Sequence, residues 1–148
     1  MIKKLSLLFS VALIVSMGCD TGQQVSQQSV ESTPASTSSE HAAVEFTSAA
    51  FEADVLNNSK IVLVDCWAPW WPPCVQLGPT IDKLASEYDG KAVIGKLNVD
   101  DASEVAQQYN VTGIPALLFF RDGKEVDRLV GGQSEAAIAA KLDELIGG

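Results

Sequence analysis

Residues 44 to 148 predict an α/β fold in which a central mixed β-sheet is flanked by helices on both faces. Three observations carry this. Apolar, β-branched runs alternate with stretches spaced for helices; the runs near 61–67 and 91–99 are apolar enough to be covered on both faces; and Asp122-Gly123 marks a tight hairpin between two late runs. Strands separated by helices must lie parallel and the late pair antiparallel, so the sheet is mixed.

In chain order, Val44 to Phe46 reads as a short edge strand. Ser48 to Leu56 places Phe51, Val55 and Leu56 at helical spacing, and Thr47 can cap its start. Ile61 to Trp67 is a strand whose alternation puts Ile61, Leu63, Asp65 and Trp67 on one face and Val62, Val64 and Cys66 on the other. Cys74 to Tyr88 is a helix with Leu77, Ile81, Leu84, Ala85 and Tyr88 in one stripe, and Pro79 inside it predicts a kink. Lys91 to Val99 is a second buried strand, and Ser103 to Tyr109 a short helix. Ala116 to Phe120 and Glu125 to Val130 form the hairpin. Ser134 caps a last helix whose apolar face is Ile138, Leu142, Leu145 and Ile146.

Ahead of this domain the composition changes twice. Residues 1–18 begin with Lys3 and Lys4 and continue apolar to Met17, the pattern of an export signal and too short for a bilayer span. Residues 19–43 are rich in Ser, Gln and Thr and poor in aliphatic side chains, so they read as a flexible tether. The junction Ser16-Met17-Gly18-Cys19 resembles the lipobox of bacterial lipoproteins, although Ser16 stands where leucine is usual. That resemblance implies a lipidated Cys19, a membrane anchor and a location in the cell envelope outside the cytoplasm. His41, the single histidine, lies in the tether without a second ligand nearby, and no metal site is expected. Asp and Glu number 19 against 10 Lys and Arg, and loss of the leader removes Lys3 and Lys4. A nucleic-acid partner is therefore disfavoured.

Residues Val64-Asp65-Cys66-Trp67-Ala68-Pro69-Trp70-Trp71-Pro72-Pro73-Cys74, the kinking Pro79, Lys96-Leu97-Asn98-Val99-Asp100, Tyr109 to Pro115 and Val130-Gly131 together resemble the thioredoxin family in sequence and order. The resemblance covers residues 44 to 148 and implies a thioredoxin fold, no cofactor, a polypeptide or protein partner and a monomer. In that family Trp-Cys-Gly-Pro-Cys opens the second helix; the first cysteine attacks a partner disulfide and the second resolves the mixed disulfide. Here Cys74 matches the second sulfur, Trp71 stands in place of the first, and Pro72 stands where glycine would be.

An indole carries no lone pair suited to attack on sulfur, so the dithiol cycle has no nucleophile. Pro72 and Pro73 also remove two N–H groups from the helix start. Cys66 faces away from the helix and is expected to be a buried, inert thiol that forms no disulfide with Cys74. Asp65 is a carboxylate in an apolar strand, so desolvation should raise its pKa. The resemblance makes it the proton acceptor for the resolving cysteine, accompanied by Lys96; the other reading is inherited polar packing in which Asp65 and Lys96 satisfy each other. Ile114-Pro115 matches the family's cis-proline loop. Trp67, Trp70, Trp71, Pro72, Pro73, Ile114 and Pro115 then surround one apolar groove, suited to gripping a polypeptide. Two functions stay open: a binding protein without dithiol turnover, or a monothiol redox protein in which Cys74 alone forms mixed disulfides.

Overall fold

The computed structural model describes residues 42–148, so the predicted leader, Cys19 and the predicted tether as far as His41 lie outside the described residues, while Ala43, expected in the tether, packs on the core and donates its N–H to Asp82 Oδ1 at 3.3 Å. Five strands form one sheet: β1 (Val44–Phe46), β2 (Ile61–Trp67), β3 (Ala92–Asn98), β4 (Ala116–Arg121) and β5 (Lys124–Val130), in the order β1-β3-β2-β4-β5. The helices are α1 (Pro72–Glu87), α2 (Ser103–Gln108) and α3 (Glu135–Gly147). β1, β3 and β2 run parallel while β4 and β5 are antiparallel to their neighbours, the mixed sheet that the element order demands.

Alternation along β2 divides the core. Val62, Val64 and Cys66 join Phe46, Phe51, Leu97, Leu118 and Phe120 in one layer; Ile61 and Leu63 join Ile81, Leu84, Phe119, Ile138 and Leu142 in the other. Each strand in the middle of the sheet is covered on both faces, which is why its sequence is mostly apolar on both, Asp65 of β2 and Lys96 of β3 being exceptions. The β4–β5 turn has positive φ at both Asp122 (50°) and Gly123 (75°), and a side chain at 123 would also strike the Leu56 carbonyl. Asp-Gly suits such a turn because glycine, and to a lesser degree aspartate, tolerates the left-handed region.

Local details depart from the sequence reading at three places. The helix expected over Ser48 to Leu56 is a π-helical segment, Glu52–Leu56, closed by Asn57 N–H donating to the Glu52 carbonyl at 2.8 Å. Thr47 Oγ1 still accepts from Ala50 N at 3.2 Å. Helix α1 begins at Pro72 rather than Cys74, since proline's fixed φ suits a first turn and its missing N–H is no loss there. In α3, capped by Ser134 Oγ accepting from Ala137 N at 3.2 Å, Ile138 and Leu142 are buried and Leu145 packs against them, but Ile146 is exposed.

Candidate functional site

β2 ends at Trp67, and Trp71 is the extended residue from which α1 starts, its carbonyl accepting from Cys74 N at 3.0 Å. The first turn thus points Cys74 inward and leaves Trp71 outward: Cys74 is 1% exposed and Trp71 41%. Trp70, 63% exposed, is held by its indole N–H donating to Asp100 Oδ2 at 2.7 Å and by an edge contact with Trp71, ring centroids 6.2 Å apart. Two aromatic faces therefore stand in solvent at the end of the sheet, beside the exposed Val75.

The Ile114–Pro115 peptide bond is cis, and Pro115 precedes β4, whose Ala116 lies opposite Cys66 of β2. Register therefore carries Pro115 to the same end of the sheet as Trp67. Gly131 N donates to the Pro115 carbonyl at 2.8 Å, and Pro73 shares a shallow hollow with Gly132 and Gln133, which ties the start of α1 to the loop after β5. Of the residues expected to line the groove, Trp70, Trp71 and Pro72 are exposed, Trp67, Pro73 and Ile114 are half-buried, and Pro115 is buried. The proline ring supports the groove floor more than it offers surface.

Beneath this surface lies a cavity of about 240 Å³ lined by Asp65, Trp67, Cys74, Val75, Gly78, Pro79, Asp82 and Lys96. Asp65 is 1% exposed, and its Oδ1 has no hydrogen-bond partner; neither does the Trp67 indole N–H. Burial pushes the Asp65 carboxyl up to about 7, against the pull of Lys96, with Asp82 and Glu45 adding to the rise. Burial likewise raises the Cys74 thiol; a hydrogen bond from the Ala68 backbone opposes this and the Asp65 charge reinforces it. Cys66, fully buried in the opposite layer, is pushed up to about 12, and both Cys66 and Cys74 are free thiols.

The reading in which Asp65 and Lys96 satisfy each other is corrected here. Lys96 Nζ donates to Asp82 Oδ1 at 2.7 Å, although register places Lys96 directly beside Asp65 and Glu45 on the neighbouring strands. A solvent-touching carboxylate is a less costly partner for an ammonium than a buried one, and the long lysine stem reaches it. Asp82 escaped the sequence reading because it looked like an ordinary polar helix residue. The available signal was spacing: Cys74, Gly78 and Asp82 are four apart, hence stacked on one helical face. Among the described residues no group of three or more His, Cys, Asp or Glu could hold a metal ion.

A family profile named Thioredoxin matches residues 42–144. The chain belongs to the thioredoxin family. It is similar to thioredoxin 2 of Chlorobaculum tepidum, 50% identical over 103 residues that cover 70% of this chain and 94% of that protein. Thioredoxin of Chlorobaculum thiosulfatiphilum is 48% identical over 103 residues, covering 70% of this chain and 95% of the relative. The bifunctional thioredoxin reductase/thioredoxin of Mycobacterium leprae is 36% identical over 129 residues, 86% of this chain but 28% of that longer protein. For a thioredoxin-family chain, redox chemistry at the start of α1 is the reference against which its Trp71 and Cys74 are read.

Proposed function

We propose that this thioredoxin-family protein grips polypeptides or a protein partner through the Trp70–Trp71 end of the sheet and does not turn over disulfides by a dithiol cycle. One observation carries the reading: at the start of α1 the side chain offered to a partner is an indole, while the sulfur behind it is 1% exposed. Attack on a disulfide needs a thiolate that can approach along the S–S axis, and Cys74 is both shielded and disfavoured as a thiolate. An indole instead supplies a large rigid apolar face. The monothiol reading needs an accessible Cys74, so its burial counts against it. We further propose that the domain is held at a bacterial membrane, on the extracytoplasmic side, by a lipidated Cys19.

The test is insulin reduction by the unmodified protein and by Trp71→Cys, with dithiothreitol as reductant. The unmodified chain is expected to match the uncatalysed rate, and Trp71→Cys to exceed it. Catalysis by the unmodified chain that disappears in Cys74→Ser would sink the binding reading. Titration with a reduced, carboxymethylated polypeptide, followed by tryptophan fluorescence, should give saturable binding that Trp70→Ala and Trp71→Ala each weaken by about tenfold or more. Acyl-chain labelling of the full chain against Cys19→Ser checks the anchor.

A further inference from the structure

Charge is unevenly distributed over the domain. Lys83 pairs with Glu135 at 2.6 Å, Lys96 with Asp82 at 2.7 Å, Arg128 with Glu125 at 2.6 Å and Lys141 with Asp127 at 2.8 Å. The other cations, Lys60, Lys91, Arg121 and Lys124, form no ion pair among the described residues. Sheet register gathers these four. Ile61 stands opposite Ala92, and Val62 opposite Phe120, so Lys60, Lys91 and Arg121, each one step further out, form a row across the ends of β2, β3 and β4. Arg121 faces Lys124 across the hairpin.

Lys60, Lys91 and Arg121 line one open cavity of about 350 Å³ together with the exposed Ile146, the Asp122 carboxylate and Gly148 beside the Arg121 guanidinium. The Arg121 guanidinium donates to the Leu145 carbonyl, and Lys91 Nζ stands 6.0 Å from the centre of the Tyr88 ring. An adjoining hollow is lined by Lys60, Asp89 and Ala42, where the described residues begin. The chain leading back to Cys19 therefore arrives at this end, whereas Trp70 and Trp71 follow the far end of β2.

We propose that this cationic end docks on the anionic phospholipid headgroups of the membrane that holds the chain, leaving the tryptophan end turned outward. The proposal rests on the Cys19 anchor proposed above. Carboxylates outnumber cations over the chain and an anionic surface repels them, whereas Lys60, Lys91, Arg121 and Lys124, which form no ion pair among the described residues, are drawn to it. As coil, the stretch predicted between Cys19 and residue 43 would reach roughly 25–30 Å, so the domain stays at high local concentration over the headgroups and a few cations suffice.

The full lipidated chain, reconstituted in vesicles of phosphatidylcholine alone or mixed with phosphatidylglycerol, provides the test. Amine acetylation is read by mass spectrometry at Lys60, Lys91 and Lys124, with Lys83 as internal reference. In the anionic vesicles alone, labelling of the three is expected to fall at least about threefold relative to Lys83 and to recover in high salt. Lys60→Glu with Lys91→Glu, folded by circular dichroism, should lose the protection at Lys124. Equal labelling in both vesicle types, or protection that persists in high salt, overturns the docking. A chain that fails to float with phosphatidylcholine vesicles lacks the anchor, a separate result that removes the tethering docking depends on.

Discussion

On one face of the sheet a methyl group added at Gly95 would meet Phe46 Cε2 at 2.4 Å and the Val44 carbonyl oxygen at 2.5 Å; on the other, α1 leaves a cavity of about 240 Å³ over Asp65 and Lys96. The two cysteines report the same contrast. Both are inaccessible, yet Cys66 sits among Phe46, Leu97 and Leu118, whereas Cys74 borders the hollow that holds an unpartnered carboxylate oxygen. One layer is packed for cohesion alone. The other keeps polar groups in a place where they cost stability, the usual mark of chemistry retained or inherited.

Placing a thiol at position 71 is the strongest way to sharpen that contrast. Trp71→Cys should raise insulin reduction by about two orders of magnitude or more over the unmodified chain, because the new thiol would stand one helical turn from Cys74, the sulfur proposed to resolve a mixed disulfide. Pro72 and Pro73 remain in the variant, so its rate should stay below that of family members with glycine at the first of these positions.

Next in size is the pH dependence of stability. The Asp65 carboxyl moves from its ordinary 3.8 to about 7 on folding, so the folded chain holds a proton that the unfolded chain has released. Below pH 3.8 both states are protonated and there is no penalty; stability then declines up to about pH 7, above which the full cost, roughly 4 kcal/mol, is present. Relative to the parent, Asp65→Asn should therefore gain stability progressively between those limits, as measured by urea unfolding at pH 5 and pH 8. A difference that does not vary with pH would mean that the carboxylate is solvated.

Packing itself can be probed with a matched pair of substitutions. Gly95→Ala should cost about 1–3 kcal/mol by overpacking. Gly78→Ala, where nothing lies within 4 Å of the added carbon, should be neutral or stabilising by up to about 1 kcal/mol. Opposite signs in thermal unfolding sustain the comparison, and equal losses would break it. The smallest effect concerns the thiols: under native conditions Cys74 should react with a maleimide several-fold faster than Cys66, since only Cys74 borders a cavity near the surface, with both far slower than in urea.

Much of this was written in local spacing. Alternation in β2 assigns Cys66 and Asp65 to opposite layers, Asp122-Gly123 sets the hairpin, and i, i+4, i+7 spacing places Leu77, Ile81 and Leu84 on the buried stripe of α1. The pairing of Lys96 was not legible, because Asp65, Glu45 and Asp82 all offer a carboxylate and the choice turns on how α1 crosses β3. Nor was the exposure of Ile146, which depends on how α3 docks on the rest of the domain.

By itself, then, the sequence determined which elements form, which face of each is apolar, and that an indole stands at position 71, since these follow from the order and type of neighbouring residues. Tertiary structure alone decided that Cys74 is buried beside a cavity, that Asp65 Oδ1 is unpartnered in that cavity, and that four cations without an ion pair among the described residues meet at one end of the sheet. Burial and charge pairing are properties of residues far apart in the chain, and only the docking of helices and strands against one another sets them.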